Sequence, residues 1–305
     1  MSEPVTAAVV AWNTRELLLR CLAAFEPEAE AGRVAVWVVD NASADRCAPA
    51  ARERFPWARV VESRENLGFG RSVNLVAEQT RSPWLIAANA DTAPEPGALA
   101  ALLAAGAADP RAGALAPRLI LPDGSTQHSA FAFPTLAVLA LFHLGLLRGA
   151  LGDRLCVEGR WNPDRARRVP WAVGAFLLLR RTAWEQAGGF DPRQWLYAED
   201  VDLAWRLRRA GWATRHVPEA RVLHESAAST GALWGEERTL RWQAATYEWL
   251  RRRRGPLTAR AAWALNVAGA EARARLGSGW EAERARDWAA LHRAAWTPGV
   301  REAVH

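Results

Sequence analysis

At 305 residues, half of them apolar, the chain is long enough for one large domain or for a domain with a helical appendage, and no run reaches the ~18 apolar residues of a membrane span. The formal net charge is +6 and every one of the 39 lysine-or-arginine positions is arginine, which excludes a phosphate-loop lysine, a Schiff-base lysine and the lysine of sugar nucleotidyltransferases, and suits anionic partners such as nucleoside diphosphates or acidic lipid headgroups. Cys21, Cys47 and Cys156 lack metal-ligand spacing and read as reduced thiols of a cytosolic protein, no signal peptide is evident, and the dispersed tryptophans with no recognised motif argue against nucleic acid.

In chain order, residues 5–11 form a β-rich apolar run, the expected first strand. Asn13 and Glu16 have the spacing of a capping box, and Leu17, Leu18, Cys21, Leu22 and Phe25 recur at helical spacing behind them. Residues 34–39 make a second strand that ends in Asp40-Asn41-Ala42-Ser43. Residues 59–61 make a short third strand, and Asn66-Leu67-Gly68-Phe69-Gly70 leads into a helix carrying Arg71 and Asn74. Residues 84–88 are a fourth strand, uncharged and apolar, that turns polar at Asn89-Ala90-Asp91-Thr92; Pro94 and Pro96 end it and Glu95 opens the next helix. This alternation predicts a parallel, doubly wound sheet.

Beyond it the pattern changes. Residues 113–121 and 125–133 read as a strand and its return strand around a Pro122-Asp123-Gly124 turn. Residues 136–147 are apolar but too short to span a bilayer, so they form either a core helix or an interfacial one. Residues 152–167 read as a mobile polar loop, and residues 169–179 as an apolar run interrupted by Gly174. A short helix from Thr182 closes at Gly188-Gly189-Phe190-Asp191-Pro192. Glu199-Asp200 opens a helix that Gly211 ends, and residues 214–217 and 221–223 look like late edge strands, with His224 at the end of the second. From Leu233 the chain is rich in Ala, Arg, Trp and Glu and reads as two or three helices broken near Gly255-Pro256 and Gly277-Ser278-Gly279, so residues 1–232 and 233–305 are separate units. The basic run Arg251 to Arg254 reads as a solvated helix end in preference to a membrane contact.

Four polar clusters fall at strand ends or loops: Asp40-Asn41, Asn89-Ala90-Asp91, Glu199-Asp200 and His224. Each has a structural alternative, respectively an Asx turn, a helix cap, an acidic first turn and a histidine bonded to a backbone carbonyl. Together they suggest one cleft at the carboxyl ends of the strands, where open α/β sheets bind ligands.

The order of these clusters resembles glycosyltransferase family 2, and within it the bacterial rhamnosyltransferase branch. The matching stretches are Val10-Ala11-Trp12-Asn13, Val38-Val39-Asp40-Asn41-Ala42-Ser43, Glu65-Asn66-Leu67-Gly68-Phe69-Gly70 and Asn89-Ala90-Asp91-Thr92, then Gly174-Ala175, Gly188-Gly189-Phe190-Asp191, Glu199-Asp200-Val201-Asp202-Leu203 and Val222-Leu223-His224. The resemblance spans roughly residues 4–230. It implies a GT-A fold, a Rossmann-like nucleotide-sugar-binding mixed sheet with flanking helices, here followed by C-terminal helices. It implies an inverting enzyme, with dTDP-rhamnose the leading donor and UDP-N-acetylglucosamine, UDP-galactofuranose or UDP-glucose the alternatives; a non-catalytic nucleotide-sugar-binding protein of the same fold is a further one. The acceptor would be a glycan or a polyprenyl-diphosphate-linked sugar, met in the cytoplasm at the inner face of the membrane through a peripheral contact.

The same resemblance assigns roles. Asp40 would bond the nucleobase beside Trp12 and Asn13, with Asn41 shaping the loop, and Arg71 would offset nucleotide charge. Asp91, with Asn89 at the first position of the DxD-type motif in place of aspartate, would bind a divalent cation, Mg²⁺ or Mn²⁺, together with His224. The missing carboxylate should weaken that metal site. Asp200 would be the general base, Glu199 would orient the acceptor hydroxyl, and Gly174 would let the backbone approach a substrate closely.

Overall fold

In the computed structural model, residues 5–225 and 237–297 are described. The first half alternates as expected: β1 (Val5–Ala11), α1 (Arg15–Glu30), β2 (Val34–Asp40), α2 (Cys47–Arg54), β3 (Arg59–Glu62), α3 (Phe69–Gln79) and β4 (Trp84–Asn89). Strand β1 lies parallel between β2 and β4, and β3 extends the sheet beyond β2. Val9, Val38, Val39 and Ile86 are wholly buried, because helices cover both faces of these strands.

The second half completes the sheet by less local pairing. It comprises β5 (Thr92–Pro94), α4 (Ala98–Ala108), β6 (Ala112–Ile120), β7 (Ala130–Phe131), α5 (Leu136–His143), α6 (Gly149–Arg154), β8 (Arg167–Val169), β9 (Trp171–Ala172), β10 (Phe176–Arg180), α7 (Arg181–Ala187), α8 (Glu199–Arg209) and β11 (Ala213–His224). The strand order is β3-β2-β1-β4-β10-β6-β11-β5, with β8 also on β11 and a separate β7-β9 ribbon. Strand β10 is antiparallel to both neighbours, whereas β11 is parallel to β6. The result is the mixed GT-A-type sheet that the resemblance implies.

Several local expectations are corrected. Glu95 does not open a helix: Thr92–Pro94 pairs antiparallel with β11, and α4 starts at Ala98 after Gly97 at φ +86°. The capping box is not formed. Thr14 occupies the cap position without a side-chain bond, while Asn13 (φ +52°) turns its Oδ1 to accept from the Ala44 amide. The return strand at 125–133 touches β6 through a single bridge, Ile120 to Thr126, because β10 occupies that edge of β6; Ala130–Phe131 pairs with β9 instead. Residues 214–217 and 221–223 are one strand inside the sheet, irregular between Val217 and Arg221 where Pro218 removes an amide donor. The segment read as a mobile loop contains α6 and is tied down, with Asp153 accepting from Arg167 at 2.7 Å and from the Asn162 amide at 2.7 Å.

Among the described residues, three C-terminal helices follow, α9 (Glu237–Arg254), α10 (Pro256–Leu276) and α11 (Gly279–Ala295), with breaks where Gly-Pro and Gly-Ser-Gly predict them. The expected start at Leu233 lies outside the described residues. Ala244, Tyr247 and Leu250 share a buried cluster with Phe133, Trp171 and Val201 of the sheet body. An ionic knot reinforces the join. Asp202, fully buried on α8, accepts from Arg206 at 2.7 Å, Arg253 at 2.6 Å and the Trp249 indole at 3.0 Å, and Arg253 also reaches Asp191 at 2.7 Å. Burial opposes the charge on Asp191, but hydrogen bonds from Arg193 and the positive field of Arg193 and Arg253 outweigh it and hold its carboxyl down at about 2.

Candidate active site

A cavity of about 460 Å³ opens at the carboxyl ends of β1 and β4. Asn89, Asp91, Gly174, Glu199, Asp200 and His224 all line it, so three of the four polar clusters converge, and Asn41 of the fourth closes another side with Trp12.

The sheet itself brings Asp91 to His224. Pairing of β5 with β11 sets His224 opposite Thr92, and the Glu225 amide donates to the Asp91 carbonyl at 2.9 Å. The two side chains are buried, with His224 Nε2 3.4 Å from Asp91 Oδ1. Gln127 Oε1 stands 2.6 Å from His224 Nδ1. With that oxygen accepting, Nδ1 carries the proton of the neutral imidazole, and Nε2 then turns its lone pair toward the aspartate. Asp91 Oδ1, in turn, is buried and accepts no hydrogen bond among the described residues. A carboxylate oxygen and an imidazole nitrogen facing one another without a proton donor suit a cation between them. The residues present therefore fit a divalent ion with an N/O donor set that also takes oxygen from substrate. Among the described residues no group of three or more His, Cys, Asp or Glu could hold a metal, so such an ion would depend on substrate oxygens to complete its shell.

The opposite wall is the start of α8. Tyr197 and Ala198 both adopt φ +61°, an arrangement strained for side chains other than glycine, and this double left-handed turn aims Glu199 and Asp200 into the cavity. Asp200 Oδ2 accepts from the Gly174 amide at 3.0 Å, and its Oδ1 from the Val201 amide at 2.7 Å. A Cβ on Gly174 would lie 3.2 Å from the Asp200 Cβ, so glycine permits this close seat. Glu199 Oε2 is buried with no partner among the described residues. Burial, then the Asp200 charge, push the Glu199 carboxyl well above the usual carboxylate range. Burial pushes Asp200 up as well, against its backbone hydrogen bonds. Such a pair is poised to hold or take a proton near neutral pH.

Of the other expected residues, Asp40, Asn13 and Arg71 do not line the cavity. Both Asp40 oxygens take backbone amides, Oδ1 from Ser43 at 2.9 Å and Oδ2 from Ala48 at 3.1 Å, so Asp40 orders the loop and the start of α2. Asn41 accepts from Ser72 Oγ at 2.9 Å. Asn13 and Arg71 are exposed, Arg71 lying 3.8 Å from Glu65. Conversely, Gln127, Trp195, Tyr197, Arg238 and Trp242 line the cavity without having been singled out. Tyr197, two residues before Glu199, was the one within reach of sequence reasoning. Arg238 and Trp242 lie on α9, in the stretch read as a separate unit.

A mixed, mostly parallel α/β sheet with acidic residues and a histidine around a cavity at its carboxyl edge defines a nucleotide-sugar transferase of the GT-A architecture. The profile described as "Glycosyltransferase like family 2" matches residues 3–245, and the chain belongs to that family: it is a glycosyltransferase. The N-acetylglucosaminyl-diphospho-decaprenol L-rhamnosyltransferase of Mycobacterium tuberculosis is 37% identical over 246 residues, which cover 76% of this chain and 79% of the relative. Among solved structures, the mannosyltransferase PcManGT of Pyrobaculum calidifontis, in complex with GDP-Man and Mn²⁺, superposes with a TM-score of 0.59 at 18% identity, covering 99% of this chain and 87% of that one. GalNAc-T7 with UDP, GalNAc and Mn²⁺ gives a TM-score of 0.54 at 14% identity over 79% of this chain and 49% of that one. These two structural likenesses speak to the fold.

Proposed function

We propose that the protein is an inverting rhamnosyltransferase that moves rhamnose from dTDP-rhamnose to a hydroxyl of a polyprenyl-diphosphate-linked sugar, in the synthesis of a cell-surface polysaccharide. The observation that carries this reading is the shared cavity, with Asp91 and His224 at one wall and Glu199 and Asp200 at another. The sugar and acceptor follow from the named activity of the 37% identical mycobacterial relative.

In this reading Asp200 takes the proton from the acceptor hydroxyl as that oxygen attacks the anomeric carbon, and Glu199 orients the hydroxyl. One displacement, with no covalent enzyme intermediate, inverts the anomeric centre. The Gly174 amide keeps the Asp200 carboxylate on the reacting side. Asp91 and His224 hold Mg²⁺ or Mn²⁺, and the bound cation supplies charge stabilisation to the departing nucleoside diphosphate. Trp12, Asn13 and Asp40 form the nucleobase end, where Asp40 uses the lone pairs left by its two amide bonds, with Arg71 near the phosphates and Asn89 at the cavity edge. Residues 1–232 carry the catalytic body and residues 233–305 the helical appendage that walls its acceptor side.

Among the described residues no helix is long and apolar enough to cross a membrane. Phe142, Leu144, Leu146 and Leu151 are exposed together at the α5–α6 turn, 43%, 70%, 55% and 40% respectively. This patch, flanked by Arg148 and Arg154, supports peripheral contact with the inner face of the membrane where a lipid-linked acceptor resides.

Calorimetric titration with dTDP, UDP and their sugar conjugates, with and without Mn²⁺, tests the reading. Micromolar binding of dTDP-rhamnose, tightened by Mn²⁺ and losing that increment in Asp91→Asn and His224→Ala, is the expected result. A UDP-sugar preference would replace the donor. Absence of binding by every nucleotide to folded protein would leave only a degenerate member of the family.

A further inference from the structure

A second cavity, of about 600 Å³, lies between α5, α8 and α9. Its lining is of two kinds. Phe133, Leu136, Trp205, Trp249 and Leu250 give it apolar walls, and Arg208, Arg209 and Arg254 bring three guanidinium groups to it. Arg208 sits over the Phe133 ring at 5.7 Å and Arg209 over the Trp205 ring at 5.0 Å, so the cations are held against the apolar walls. Among the described residues no carboxylate forms an ion pair with any of the three, although the chain pairs many of its other arginines. Unneutralised guanidinium groups beside an aromatic pocket match a ligand that is a dianion at one end and a hydrocarbon at the other.

Location narrows the ligand further. Arg208 and Arg209 lie on the same helix as Asp200, eight and nine residues on, about 12 Å along its axis at 1.5 Å per residue. The apolar side of the cavity includes Leu136 and Ala137, which begin α5, and the other end of α5 leads into the exposed Phe142 and Leu144.

Resting on the reading above, we propose that this cavity seats the prenyl diphosphate of a lipid carrier: Arg208, Arg209 and Arg254 grip the diphosphate, and the Trp205–Trp249 walls take the first isoprene units. Lipid-borne diphosphate is thus recognised away from the nucleotide site, by a different set of arginines.

Tryptophan fluorescence of the full chain, titrated with farnesyl diphosphate and in parallel with dTDP, tests it. Farnesyl diphosphate should bind, and R208Q/R209Q should weaken it about tenfold or more while dTDP affinity stays unchanged. Ala137→Trp, which fills the apolar end at an exposed position, should weaken it likewise. Farnesol should bind far more weakly than farnesyl diphosphate. Equal affinity of wild type and R208Q/R209Q would overturn the site, as would dTDP binding without farnesyl diphosphate binding. Arginine-dependent capture by phosphatidylglycerol vesicles without farnesyl diphosphate binding would overturn it too, assigning the arginines to bulk lipid. Loss of dTDP binding as well, in folded protein, would instead fell the transferase reading beneath it.

Discussion

Asp200 and Glu199 are adjacent in the chain yet differently held: two backbone amides fix the first, and the second is buried with one oxygen unmatched among the described residues. Asp200→Asn keeps the shape and removes the basicity, so kcat should fall by about 10²–10⁴ while dTDP-rhamnose affinity, measured by calorimetry, holds. Wild-type rate retained in that variant would move the base elsewhere. Because burial raises both carboxyl groups, the acid limb of the rate profile should lie well above the pH near 4 of an ordinary carboxylate. Stability has the opposite sense. A folded-state pKa raised above the unfolded one means the native state binds more protons, so stability falls as pH climbs from the unfolded value through the folded one. Glu199→Gln should flatten that decline, gaining in Tm over wild type at pH 8 relative to pH 5 in paired thermal melts. Asp91, Glu199 and Asp200 were legible in the sequence because each follows directly on an apolar run or opens a polar helix turn. That Asp40 also takes the Ser43 and Ala48 amides was not, since the letters around it do not show which backbone groups its oxygens meet.

At the scale of the element, α8 does two jobs with one acidic turn. Glu199 and Asp200 face the cavity, while Asp202 faces away into a wholly buried knot with Arg206, Arg253 and Trp249. Removing one member of a buried ion cluster strands the others. Asp202→Ala should therefore cost about 3–5 kcal/mol in urea unfolding, whereas replacing the exposed Glu283 should register almost nothing. Sequence periodicity marked the helix and its acidic start. It did not separate the cavity-facing acids from the buried one, because Arg253 is some fifty residues distant and nothing local betrays the pairing.

For the molecule as a whole, the parallel half of the sheet was readable from its β-α alternation, where each strand pairs close by. The insertion of β10 between β4 and β6, antiparallel to both, was not, because non-local pairing leaves no periodic trace. Nor did composition show that the C-terminal helices share a core with the sheet body. Ending the chain before α9 would uncover Phe133, Trp171 and Val201 and deprive Asp202 of Arg253 and Trp249. Such a truncation should bind a hydrophobic dye strongly and melt at a lower temperature than the full chain; a truncated protein as cooperative and as stable as the parent would show that the two units fold independently.

The pairing of Asp91 with His224 also has a meaning in time. The aspartate leaves the ribosome early, but its imidazole arrives on the last strand of the sheet, more than one hundred residues later. At about 5–20 residues per second, several seconds or more of synthesis separate the two halves of the proposed cation site. A nascent chain thus carries the carboxylate without its partner, and on the proposed reading it can gather a nucleotide's phosphates around a metal only near the close of translation of this body.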